Sequence, residues 1–80
     1  MNTSEIANGI CNFVKENLVA AGVEIKPETS LTTLGLDSFS IIEIVLFLER
    51  KFKIALPDEA LTPENIASPN AMAVCAMSYK

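Results

Sequence analysis

The chain contains no histidine and no tryptophan. Without histidine a serine has no imidazole base, so a Ser-His nucleophilic pair cannot form. Glycine is scarce, at three residues, and no Gly-x-Ser-x-Gly elbow or glycine-rich phosphate loop is present. Basic side chains are few: six against ten acidic ones, a formal charge of −4. Binding nucleic acid requires Lys and Arg to displace phosphate counterions, so this balance disfavours nucleic acid. It equally disfavours an anionic membrane surface. The two cysteines, Cys11 and Cys75, could form one disulfide but make no disulfide framework. Small thiols in helical segments are more often buried and inert, which fits a reducing, cytoplasmic setting. No apolar run reaches the roughly 20 residues of a membrane span. The richest stretch, Ile41 to Leu48, is short and broken by Glu43. The start, Met-Asn-Thr-Ser-Glu, lacks the basic and apolar regions of a signal peptide. No residues group as a metal cluster.

What remains is a chain of 80 residues, half of them apolar. That amounts to one domain over 1–80, near the lower limit for folding on a single core. With no room for separate catalytic and substrate domains, its function must use a surface, a single modified residue or a small pocket. Ile6, Ile10, Phe13, Val14 and Ala21 recur at helical spacing, predicting a first helix from about Thr3 to Ala21. Thr3 or Ser4 can cap it, Glu5 suits its first turn, and Gly22 ends it. A long connection follows, about Val23 to Asp37. Its Val23, Ile25, Leu31, Leu34 and Leu36 predict a segment packed over the core, because a free loop of this length is unusual in a compact domain.

A second helix is expected from about Ser38 to Phe52. Asp37, Ser38 and Ser40 are all plausible caps, and Ser40 with Glu43 matches capping-box spacing. Thr62-Pro63-Glu64 predicts the start of a short third helix, and Ser68-Pro69 the start of a last one from about Pro69 to Ser78. Ala71, Met72, Cys75 and Tyr79 are its expected inner face. No stretch alternates as a strand with hairpin turn signals. The expected fold is an all-α four-helix bundle: three longer helices, one short third helix, and a long loop between helices one and two.

The second helix has more apolar surface than one core face needs. At about 100° per residue, Ile41, Ile44, Val45, Leu48 and Phe52 share one arc. Phe39, Ile42 and Leu46 fall on another, bordered by Glu43, Glu49 and Arg50. Phe47 lies nearly opposite the core arc, where it would widen the second stripe. Such a stripe either lies buried under the long loop or is an exposed docking patch.

Gly35-Leu36-Asp37-Ser38-Phe39 is followed by Ile42-Glu43-Ile44-Val45, by Leu48-Glu49-Arg50-Lys51-Phe52, and then by Ile54-Ala55-Leu56-Pro57-Asp58-Glu59. This ordered set resembles the acyl carrier protein family. There an Asp-Ser-Leu motif opens the second helix, and a Val-Glu-Leu-Val stretch, a Phe and an Ile-Pro-Asp-Glu-like turn follow at these distances. The resemblance covers nearly the whole chain. It implies that Ser38 is esterified by a 4′-phosphopantetheine arm from coenzyme A, installed by a pantetheinyl transferase that uses magnesium. It further implies that the arm's thiol holds acyl groups as thioesters. Asp37 would support the site, holding the metal or orienting the transferase. On its own, Asp37-Ser38 reads as a plain helix cap; the surrounding match makes modification the better reading. A helix N-terminus also suits the anionic phosphodiester.

The chain departs from the family pattern in two ways. Phe39 stands where Leu or Met is usual. Arg50, Lys51 and Lys53 offset Asp37, Glu43 and Glu49, so the second helix is less acidic than in typical fatty-acid carriers. A dedicated pathway with partners matched to a mixed-charge face is expected.

The expected function is therefore a cytoplasmic, monomeric acyl carrier protein and not an enzyme, with no catalytic residues of its own. It would present acyl intermediates to acyl-transferring and chain-extending enzymes of fatty-acid or polyketide type. Phe39, Ile42, Glu43, Leu46, Glu49 and Arg50 are the expected partner face. The helical wheel makes Ile44, Leu48, Ile54, Leu56, Ile66 and Cys75 the expected lining of an acyl pocket. The short tail after Tyr79 suggests a complete freestanding domain. The alternatives are an aminoacyl, peptidyl or D-alanyl carrier, or an interaction bundle without an arm. Amino-acid carriers commonly show Gly-Gly-x-Ser, and Gly35-Leu36-Asp37-Ser38 is closer to the acyl type. A hydrolase using Ser38 lacks a base.

Overall fold

The computed structural model describes residues 2–20 and 22–80. They form three helices, α1 (Thr3–Asn17), α2 (Ser38–Phe52) and α3 (Pro69–Ser78), with a 3-10 turn at Asp58–Ala60 between α2 and α3. No strand occurs among the described residues, and none of the helices is long and apolar enough to cross a membrane. The expected all-α class is observed, with three helices and not four. The segment from Thr62 that was to be a short helix closes only as a turn, in which the Asn65 and Ile66 N–H groups bond the Thr62 carbonyl. Ser68-Pro69 starts α3 two residues after Ile66, which leaves no length for a helix to propagate.

The caps explain where the helices begin. Asn2, not Thr3 or Ser4, caps α1: its side-chain oxygen accepts the Glu5 N–H at 2.8 Å. Ser68 caps α3, accepting the Ala71 N–H at 3.1 Å, with Pro69 in the first helical position. The end of α1 falls earlier than its apolar period suggests, at Asn17, with Leu18 as C-cap. Gly22 (φ 91°) therefore turns the loop and does not end the helix. Ala21, expected on the inner stripe, lies outside the described residues. At the end of α2, Lys53 sits in the left-handed region (φ 59°), and the Ile54 N–H bonds the Leu48 carbonyl. That reversal drives Ile54 into the core, where it is buried.

The core joins Ile6, Ile10 and Val14 of α1 to Ile41, Ile44 and Leu48 of α2 and Met72, Ala73 and Ala76 of α3. The long loop contributes Leu31, 1% exposed, and Ile25, Leu34 and Leu36, partly buried against the same core. Two backbone bonds fasten this loop to the start of α3: Leu31 N–H to the Ala67 carbonyl at 2.9 Å, and Asn70 N–H to the Pro27 carbonyl at 2.8 Å. The loop is thus a packed layer, as its apolar content requires.

Two side chains take places other than those their helices suggest. Phe47 does not widen the outer stripe. It is half-buried, stacked on Phe13 of α1 (ring centroids 4.6 Å apart) and edge-on to Phe52 (6.0 Å). A wheel of α2 alone cannot show that α1 covers a second side of it. Gly9 makes the approach possible, since a Cβ there would lie 3.0 Å from the Phe52 ring. Tyr79, expected on the inner face of α3, follows the helix end and is 45% exposed. Ala73 and Ala76 are buried on that face beside Met72 and Cys75.

Candidate functional site at the start of the second helix

Ser38 is the first residue of α2, and its side chain is exposed. Asp37, immediately before it, is the cap. Its carboxylate accepts the Ser40 N–H at 3.0 Å, while its carbonyl accepts the Ile41 N–H at 3.0 Å. Of the three plausible caps, therefore, Asp37 is used, and the capping-box alternative at Ser40 is not. The Ser40 N–H holds the Asp37 carboxyl below its ordinary range. Capping by Asp37 leaves the Ser38 hydroxyl facing solvent on a rigid element.

A cavity of about 290 Å³ opens beside Ser38. Leu31 and Leu36 of the loop, Ile41 of α2, and Leu61 and Ile66 from the α2–α3 connection give it apolar walls. Thr32, Asp37 and Ser38 are its polar lining. Of the six residues expected to line an acyl pocket, only Ile66 borders this cavity. Ile44, Leu48 and Ile54 are sealed in the core. Leu56 is half-buried against that core. Cys75 is buried with its Sγ 3.9 Å from the Ala60 carbonyl. Sequence reasoning had found Leu31 and Leu36 as packed loop residues, but without pairing across chain segments it could not bring them to Ser38.

The second apolar stripe is not under the loop. Phe39 is 69% exposed, Ile42 52% and Leu46 42%. Glu49 and Arg50 are exposed beside them and Glu43 is half-exposed. None of these charges pairs: the ion pair among the described residues joins Lys26 and Glu24. An open apolar stripe with unpaired rim charges starts one residue after Ser38.

Residues 8–75 match the family model described as the phosphopantetheine attachment site. The chain belongs to this family. It is a carrier protein, and members of the family bear a covalently attached 4′-phosphopantetheine arm. Carrier proteins of this family are not themselves catalytic. The chain is 38% identical over 61 residues to an acyl carrier protein of Prochlorococcus marinus, covering 75% of this chain and 76% of that one. It is 30% identical over 69 residues to aminoacyl carrier protein 2 of Bradyrhizobium diazoefficiens, covering 86% of this chain and 75% of that one. Its fold is that of an acyl carrier protein from Thermotoga maritima (TM-score 0.75, 19% identity, 99% of this chain and 91% of that one). It is also like a chain in the Bradyrhizobium japonicum complex of glycine:[carrier protein] ligase with its cognate carrier protein and a glycyl adenylate analogue (TM-score 0.73, 24% identity, 95% and 96%).

The residues at the start of α2 fit such an arm. An exposed hydroxyl is available for esterification, the helix N-terminus favours an anion there, and the adjoining apolar cavity can shelter an uncharged chain. The buried thiols Cys11 and Cys75 are poor substitutes for the arm's thiol. Burial pushes both upward, and the negative charge of Glu28 adds to the effect at Cys11.

Proposed function

We propose that Ser38 is the attachment point of the phosphopantetheine arm and that the chain carries acyl groups for fatty-acid or polyketide-type enzymes. The observation that carries this reading is the exposed hydroxyl at the first position of α2, beside an apolar cavity. Ser38 supplies the hydroxyl that a pantetheinyl transferase esterifies. Asp37 holds the helix start rigid, and the helix dipole stabilises the phosphodiester. The arm supplies a thiol that holds cargo as a thioester. Phe39, Ile42, Glu43, Leu46, Glu49 and Arg50 form the face that partner enzymes meet, and Ile66 is the acyl-pocket residue bordering the cavity. The protein acts as one domain over residues 1–80, as a monomer in the cytoplasm, and as a substrate of its partners rather than as an enzyme.

Incubation with coenzyme A and a promiscuous pantetheinyl transferase tests the attachment. The intact mass should rise by one phosphopantetheine in the wild type and stay unchanged in Ser38→Ala. No rise, or an equal rise in the variant, contradicts the proposal.

A second reading, an aminoacyl carrier, is favoured by the likeness to aminoacyl carrier protein 2. Loading of the arm by an adenylating enzyme with an amino acid, and not by an acyl ligase, would establish it over the first.

A further inference from the structure

Where α1 packs against α2, the mixed charge of α2 borders a groove. Phe13 and Phe47 stack between the two helices and form the floor of an open groove of about 290 Å³. Leu46 continues this floor into the exposed stripe that begins at Phe39. Glu43 and Arg50 stand on the rim, and Asn17 of α1 is on the opposite bank. Asn17 uses its amide N–H on the Phe13 carbonyl at 3.0 Å, so its amide oxygen is left as an acceptor.

The rim charges indicate what the groove can receive. Glu43 and Arg50 are seven residues apart on one helix, a rise of about 10 Å. At that separation they cannot pair with each other, and neither forms an ion pair among the described residues. Opposite charges two turns apart, with an apolar seat between them, match one face of a second helix. On such a helix, charges at positions i and i+7 flank an apolar residue at i+3 or i+4.

We propose that the groove between α1 and α2 is a docking site for an amphipathic helix of a partner protein. That helix presents a large apolar side chain to the Phe13–Phe47 floor, a basic residue to Glu43 and an acidic residue to Arg50. The site begins at Glu43, between one and two turns along α2 from Ser38, and uses none of the cavity beside it. It adds α1 to the partner surface, and it selects a partner bearing both charges over one with a uniformly basic face.

Synthetic stapled helical peptides test this against the holo protein labelled with nitrogen-15. Each peptide carries the same leucine anchor, flanked by Lys and Glu, by two Lys, or by two Glu. Charge content and not order is compared, so a peptide is free to lie in either direction. The Lys/Glu peptide should bind about three- to fivefold more tightly than the other two, from one added rim ion pair. Its amide shifts should map to Phe13, Asn17, Leu46 and Phe47. Arg50→Glu should transfer the preference to the two-Lys peptide. Leu46→Asp, at an exposed position, should abolish binding while leaving the fold intact. Equal affinity for all three peptides, binding of none, or shifts mapping away from the groove would overturn the proposal. Concentration-dependent shifts at the groove without peptide would also overturn it, by showing a second copy of the chain as the occupant. No arm chemistry is read, so this test can fail while attachment at Ser38 succeeds, and the reverse.

Discussion

Asp37 caps the helix at Ser38, with a carboxylate oxygen that accepts the Ser40 N–H. Its pH dependence has a definite sign. The folded carboxyl titrates below its ordinary 3.8, so the charged form stabilises the fold at all pH values above that. The contribution fades as pH falls through the lower, folded value. Asp37→Asn keeps an acceptor but loses the charge. At neutral pH it should melt below wild type, with Asp37→Ala lower still. The gap between wild type and Asp37→Asn should close below pH 3.8 in melts run at decreasing pH. A gap independent of pH would mean that the carboxylate charge does not serve the cap. Lys53 invites the opposite kind of change. Its left-handed φ is one that glycine adopts without Cβ conflict, so Lys53→Gly should stabilise the protein by up to about 1 kcal/mol in urea unfolding.

At the scale of elements, the loop between α1 and α2 forms one wall of the cavity, and Leu31 anchors it. Leu31→Ala removes a fully buried side chain and should destabilise by about 2–5 kcal/mol in urea unfolding. Phe39→Ala removes a ring that is already in water and should change stability by no more than about 0.5 kcal/mol, while weakening docking of partner enzymes. A large loss at Phe39 would mean that the ring packs in the fold. The limits of α2 and α3 were legible in the sequence because local signals set them: Asp37 and Ser68-Pro69 at their starts. The split of α2 into two apolar arcs was legible for the same reason, since one helix has one period. Phe47, Tyr79 and the cavity walls were not. Tyr79 lies past the end of α3, while Phe47 and the cavity walls depend on where a different segment lies, about which periodicity within a helix carries no information. The missing short helix has a related cause: Thr62-Pro63 has good cap chemistry, but Pro69 follows too soon.

Across the whole molecule, a sealed core and an open working end are kept apart. Ile44, Leu48 and Ile54 are closed off, while Ser38 and its cavity face solvent at the start of α2. On the proposal that Ser38 bears the arm, cargo would meet the loop and the α2–α3 connection first, and entering the core would require the helices to part. The central claim is that Ser38, and no other serine, bears the arm. Ser40 lies two residues away and Ser30 lies in the adjoining loop, so whole-protein mass alone does not locate the modification. Tandem mass spectrometry of the proteolytic peptide spanning these serines, after reaction with coenzyme A and transferase, tests the claim most directly. The account predicts phosphopantetheine on Ser38 in every modified fragment. Modification at Ser30 or Ser40, or an unmodified peptide after complete reaction, would contradict it.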